Sequence, residues 1–223
     1  LNLGDGRNGF LYLNDVQNME VKPGMDMIVQ VVKNARKGKG ARVSPRISLA
    51  GHYMVLIPDG HETGVSRRIE DDEERSRLRE IAKEIRPKGF GIIIRTVAEG
   101  CDKESLCDDI DALLLQWEET LRKAKQCSAP CLIHKDLGLL ERVLRDELND
   151  DFDEIVVDTE EDKELVEEFI EQFFVEKNFD ITYYGESTPI FDVYNIENQL
   201  SELRERKVWL PSGAYLIIDQ TEA

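Results

Sequence analysis

The chain has no apolar run near the ~20 residues that cross a bilayer, no Gly-rich phosphate loop, and no His beside a credible Ser or Cys nucleophile motif. A membrane-spanning helix, a P-loop nucleotidase and a triad hydrolase are therefore not expected, and the first residues do not read as a secretory leader. With 4 Cys and 3 His in 223 residues there is too little for a disulfide framework, so a reducing, cytoplasmic setting is expected. Basic charge is also scarce. Against 46 Asp and Glu stand 29 Lys and Arg, a formal net charge of −17, which argues against a generic nucleic-acid coat protein.

What is present is an ordinary globular composition, 41% hydrophobic and 34% charged, long enough for one large domain or two to three small ones. Charge is unevenly spread. Lys33, Arg36, Lys37, Lys39, Arg42 and Arg46 occur with no acid among them, whereas 146–164 is dominated by Asp and Glu. Any polyanion should meet the N-terminal half.

Residues 9–13, 27–32 and 41–43 read as short strands, rich in Val and Ile and set off by Lys22-Pro23-Gly24. Residues 52–57 form an apolar strand closed by Pro58-Asp59-Gly60. From Asp71, apolar residues at helical spacing (Leu78, Ile81, Ala82, Ile85) predict a helix stopped by Pro87. Gly91–Arg95 reads as a buried strand, and Ser105 opens a helix with Leu106, Ile110, Leu113, Leu114, Trp117 and Leu121 on one side. Beyond Ser128-Ala129-Pro130 follow a helix (139–148), a strand (154–158), a helix (162–174), a strand (181–184), one helix (190–204) and a hairpin around Pro211-Ser212-Gly213.

Several residues could carry chemistry. Arg95-Thr96 falls where a strand yields to a loop, putting a guanidinium fork and a hydroxyl beside free amides, a good arrangement for one terminal phosphate. The plain alternative is a surface Arg in an ion pair. Arg67 and Arg68, before a helix, could track a sugar-phosphate backbone, or be neutralised by Glu70, Asp71 and Asp72. Cys127-Ser-Ala-Pro-Cys131 lacks twin-CxxC spacing, and its completions for zinc (Cys101, Cys107, His134) are poor, so these thiols are expected to fill core. Asp153, Glu154 and Asp158 are expected on solvated helix ends and faces, not around a metal pair.

The blocks Ile47–Gly51, Ser66–Glu70 and Gly89–Thr96, followed by Ala129-Pro130, Phe191–Gln199 and Val208–Gly213, resemble in order and spacing the signatures of the ribonuclease E/G family. The resemblance implies a mixed α+β fold in three parts. These are a partial S1 (OB-fold) β-barrel at 1–46, an α/β 5′-sensor subdomain at 47–138, and an incomplete RNase H-like subdomain at 139–223. It further implies that Arg95 and Thr96 hold the 5′-monophosphate of RNA, with Gly51 and Val55 lining the pocket and Arg67 or Arg68 in support. A glycine at 51 would let backbone approach a ligand. Phe10 matches the S1 aromatic on which a base stacks, and Lys39 a basic residue beside that groove; an aromatic on a strand is otherwise more often core.

By the same resemblance the parent enzyme cleaves single-stranded RNA in processing and decay with Mg²⁺, its ligands lying in a segment that begins after Thr221-Glu222-Ala223. Its zinc site and homo-oligomer contacts also lie beyond that point. This chain alone is expected to bind RNA but to be inactive. The rival expectation is a non-catalytic RNA 5′-end-binding or regulatory module. Ala214 departs from the family's Pro-Ser-Gly-Gly hairpin, and the loop at 59–63 is shortened.

Overall fold

The computed structural model describes residues 1–4, 6–16, 20–36, 38–149, 152–173 and 179–220, and the side chain of Gln172 is not among what it describes. The chain divides into two compact units, Leu1–Asn149 and Asp150–Ala223. The architecture is mixed α+β. Several small sheets are present, and none closes into a barrel among the described residues.

The first unit begins with a three-stranded sheet, order β1-β3-β2, made of β1 (Phe10–Leu11), β2 (Gln30–Lys33) and β3 (Arg42–Ser44). β3 pairs parallel with β1 and antiparallel with β2. The expected strand at 9–13 is cut short, since Leu13–Val16 turns into a 3₁₀ helix.

The centre of the unit is a four-stranded sheet, order β4-β5-β7-β6, from β4 (Leu49–Ala50), β5 (Met54–Pro58), β6 (Thr63–Val65) and β7 (Phe90–Ile94). Two helices cover it. α1 (Asp72–Ile85) starts where the Asp71 carboxylate accepts the Glu73 and Glu74 N–H groups, and it ends two residues before Pro87. α2 (Lys103–Gln126) is capped by Asp102, whose carboxylate accepts the Ser105 N–H, so it opens two residues earlier than the sequence predicts. Strand alternation sends Met54, Leu56, Ile92 and Ile94 to the helices, where they are fully buried with Leu78 and Leu106. Val55 and Ile93, paired across β5 and β7, occupy the other face, with Ile93 exposed. Fully burying each Leu or Ile contributes roughly 1.5–3 kcal/mol, and this cluster is the unit's main core.

α3 (Leu139–Glu147) belongs to this first unit. The Glu141 carboxylate reaches back to the Gly138 N–H, as in a capping box.

The second unit opens with β8 (Glu154–Val157), α4 (Glu160–Phe173) and β9 (Asp180–Tyr183), a parallel strand pair joined through a helix. Thr159 caps α4 by accepting the Asp162 N–H. The single helix expected at 190–204 is two, α5 (Ile190–Val193) and α6 (Ile196–Leu203), because Asn195 takes the left-handed conformation at φ 56° and interrupts the ladder. β10 (Lys207–Trp209) and β11 (Tyr215–Ile217) form the expected hairpin. Gly213, at φ 81°, supplies the turn that a side chain would resist.

Candidate functional site

The strand directions of the four-stranded sheet assemble the site. β6 runs parallel to β7 and β5 antiparallel to it, so the ends of β6 and β7 and the start of β5 converge on one edge. There Ser66–Arg68, Arg95-Thr96 and Gly51–Tyr53 lie side by side. The Ser66 N–H donates to the Ile94 carbonyl at 2.9 Å, and the Arg95 N–H to the Tyr53 carbonyl at 2.8 Å.

The Gly51–Tyr53 segment is wrapped around a carboxylate. Asp109, from α2, accepts the His52 N–H on Oδ1 at 3.0 Å and the Tyr53 and Met54 N–H groups on Oδ2 at 2.9 and 3.0 Å. A Cβ on residue 51 would stand 2.5 Å from that Oδ1. Gly51 is thus required by a group inside the protein, where the sequence pointed to the approach of a ligand. Burial pushes the Asp109 carboxyl above its ordinary range, although the three backbone donors and the charge of Arg95 pull the other way.

Arg95 crosses this edge with a side chain only 21% exposed. Its Nη1 donates to the Gly51 carbonyl at 2.8 Å and the His52 carbonyl at 3.2 Å, and its Nη2 to Asp146 Oδ1 at 2.6 Å. Three of the five guanidinium N–H groups are engaged. Nε–H and one Nη2–H have no partner among the described residues. The ion-pair alternative weighed from the sequence is therefore present at one corner of the fork.

Asp146 comes from α3 and is itself gripped by Arg145. Arg145 Nε donates to Oδ1 at 2.8 Å and Nη2 to Oδ2 at 3.3 Å. Nη1 of the same residue donates to the Ala50 carbonyl at 3.2 Å, and the Arg145 carbonyl accepts from His52 Nδ1 at 2.8 Å, which puts the imidazole proton on that nitrogen. Burial alone would raise the Asp146 carboxyl. The hydrogen bonds and charges of Arg145 and Arg95 outweigh it and hold Asp146 below the ordinary range.

Thr96 Oγ1 shares a hydrogen bond with Ser66 Oγ at 2.9 Å, and the Arg68 N–H donates to the same Ser66 oxygen at 3.3 Å. Arg67 and Arg68 are exposed. Of the acids that could neutralise them, Asp71 caps α1, Asp72 pairs with Arg75 at 3.5 Å, and Glu70 is exposed. Neither arginine makes an ion pair among the described residues. Val55 lies along the sheet's outer face opposite Ile93, not at the edge with Arg95.

Phe10 and Lys39 belong to the three-stranded sheet and its loop. Phe10 is 55% exposed and packs edge-on against Tyr12 at 4.7 Å. The Arg42 guanidinium lies 4.5 Å from the Tyr12 ring centre. Phe10 is not core. Lys39 is exposed and forms a backbone bridge with Arg36.

Two expectations need correction. Cys127 and Cys131 are exposed rather than core-filling, and a hydrogen bond between their thiols pushes Cys131 up. Asp153, Glu154 and Asp158 are solvated as expected, but they lie in and beside β8 and not on a helix.

Sequence reasoning missed Asp109, Arg145, Asp146 and Ser66. A signal existed for Asp109, which sits between Leu106 and Leu113 on the apolar side of α2, where an ionisable residue needs a buried partner. None existed for Asp146, whose partners lie on other elements.

The sequence profile of the Ribonuclease E/G family matches residues 48–223. The chain belongs to this family. It is 39% identical to the Ribonuclease G of Salmonella typhimurium (strain SL1344) over 220 residues, covering 99% of this chain and 45% of the relative. The Ribonuclease E of Nostoc sp. (strain PCC 7120) is 34% identical over 238 residues, covering 100% of this chain and 35% of the relative. For the Ribonuclease G of Escherichia coli (strain K12) the figures are 39% over 203 residues, 91% and 42%. The chain spans less than half the length of these family members. No helix among its described residues is long and apolar enough to cross a membrane.

Proposed function

We propose that this chain is the RNA-recognition portion of a single-strand endoribonuclease of RNA processing and decay, and that it senses a 5′-monophosphate around Arg95. The observation that carries the reading is the Arg95 guanidinium. It is anchored by three hydrogen bonds and keeps two N–H groups without a partner among the described residues, next to the Thr96 and Ser66 hydroxyls and the exposed Arg67 and Arg68. Two N–H donors of one guanidinium can serve a phosphate's oxygens, and a hydroxyl adds a neutral bond.

Arg67 and Arg68 supply positive charge for the following phosphates. Gly51 contributes a carbonyl that holds Arg95, and Val55 lines the face leading to the site. The N-terminal part, 1–46, is assigned the S1 role. There the exposed Phe10 offers a stacking surface to any base, and Lys39 with its basic neighbours attracts the backbone. Residues 47–138 are assigned the sensor and 139–223 the RNase H-like part, with α3 lending Asp146 to the sensor.

In the whole protein cleavage is assigned to Mg²⁺, which activates water and stabilises developing charge. Among the described residues no group of three or more His, Cys, Asp or Glu is placed to hold a metal ion. The described residues do not fit Mg²⁺ or Zn²⁺, and the role assigned to this chain is binding.

The test is binding of a short single-stranded RNA with a 5′-monophosphate against the same RNA with a 5′-hydroxyl. At least about a tenfold preference for the monophosphate is expected, from two charge-assisted bonds, and Arg95→Ala should abolish it. Equal binding of the two RNAs by the unmodified chain would overturn the sensor assignment.

A further inference from the structure

Asp146 is the one charged side chain bonded directly to Arg95 among the described residues, and it comes from α3, 51 residues along the chain. Three roles are open to a carboxylate in that position: a competitor for the anion site, a plain stabilising ion pair, or a brace that orients the guanidinium.

The bonding pattern separates the first from the third. A carboxylate that imitates a bound phosphate would lay both oxygens along one edge of the guanidinium. Asp146 gives Arg95 a single oxygen, Oδ1, and gives Arg145 both. Its fork-to-fork partner is Arg145, not Arg95. Arg145 in turn is fixed by the Ala50 carbonyl and, through its own carbonyl, by His52, with its side chain only 10% exposed. The orientation passes from a buried frame to Arg145, then to Asp146, and last to Arg95.

A second attachment matters for the guanidinium itself. The Gly51 and His52 carbonyls hold one nitrogen, Nη1, and a planar group held at one corner can still swing about it. The bond from Nη2 to Asp146 holds a second corner, which fixes both the plane and the direction of the two remaining N–H groups. An arginine side chain has rotamer entropy to lose on binding, and a group already ordered before binding does not lose it again. Asp146 also stands between two guanidiniums on one oxygen, so its charge offsets their mutual repulsion.

We propose that Asp146 is a positioning residue. Seated on Arg145, it holds the Arg95 guanidinium in the orientation that presents its two remaining N–H groups to a terminal phosphate. The inference rests on the 5′-monophosphate reading and deepens it.

The experiment uses the full chain and two RNAs that differ only in a 5′-monophosphate or a 5′-hydroxyl, with Asp146→Ala, Asp146→Asn and Arg95→Ala. The ratio of the two affinities is the readout, with melting temperature recorded beside it. For Asp146→Ala the ratio is expected to fall about tenfold, the worth of one ordered charged contact, while the 5′-hydroxyl RNA binds as before. Asp146→Asn keeps an acceptor for Nη2 and should recover part of the ratio. A purely structural ion pair would lower the melting temperature and leave the ratio alone. An unchanged ratio in both Asp146 variants, with Arg95→Ala still abolishing it, overturns the positioning role and spares the sensor. A ratio that rises in Asp146→Ala makes the carboxylate a competitor, which also overturns it. A wild-type ratio of one removes the sensor reading itself, and the inference with it.

Discussion

Arg95 is tied into a network of polar side chains, whereas Phe10 and Lys39 are largely left to solvent. The first region is a four-stranded sheet on two helices whose edge holds two carboxylates, two arginines and a histidine in one network. The second is a three-stranded sheet with an aromatic pair on its surface and an exposed lysine between β2 and β3. The difference matches two kinds of recognition. One particular chemical end calls for donors fixed in advance, because their ordering would otherwise be charged against binding. A strand of any sequence calls only for an exposed π-face and nearby positive charge.

The sharpest break would come from Asp109. Asp109→Asn leaves one acceptor oxygen for three N–H donors and turns an NH₂ toward them, so a loss of about 3 kcal/mol in unfolding free energy is expected, read by denaturant titration. A variant as stable as the parent would mean that the edge is not built on this carboxylate. Because the folded Asp109 carboxyl lies above its ordinary value, its contribution weakens as pH rises from the unfolded value to the folded one.

Next in size is Arg95→Ala, expected to cost about 2–3 kcal/mol of binding to 5′-monophosphate RNA. Phe10→Ala should weaken both RNAs by about 1 kcal/mol, the stacking of one base, leaving their ratio as it was. If the loss fell on the monophosphate RNA alone, the two regions would not be separate readers. Lys39→Ala should change affinity little at high salt, and lower the slope of log affinity against log salt by about 0.7, as for one phosphate contact to a single strand.

The smallest effect concerns pH. Asp146 lies below the ordinary carboxylate range in the folded chain. The stability it contributes is therefore present above the unfolded value of about 3.9 and lost only as pH falls through the lower, folded one. The difference in melting temperature between the parent chain and Asp146→Asn should hold steady from pH 8 to pH 5; a difference that shrinks above pH 5 would mean that the brace is not held as the geometry implies.

Much of the fold was legible. Asp71 marks the start of α1 and Pro87 its end, and residues 52–57 read as an apolar strand, whereas the Asp102 cap was overlooked for Ser105 three residues on. The break at Asn195 was not legible, because Ile190–Arg204 has helical spacing throughout and one residue's left-handed backbone decides the matter. β4 and β6 were missed because two or three residues carry no period of their own. In the site, Arg95 and Thr96 could be picked out by type and position, whereas Ser66 looked like an ordinary loop residue until β6 paired with β7.

The sequence by itself determined most of the helices, the longer strands, the basic run at 33–46 and the family, since periodicity and motif blocks are local signals. Only the tertiary structure decided what holds Arg95. Its carbonyl and carboxylate partners are 43 to 51 residues distant along the chain, and Arg145 reaches Ala50 across 95. Contacts of that span are made by strand pairing and helix packing, which bring together residues with no local relation to one another.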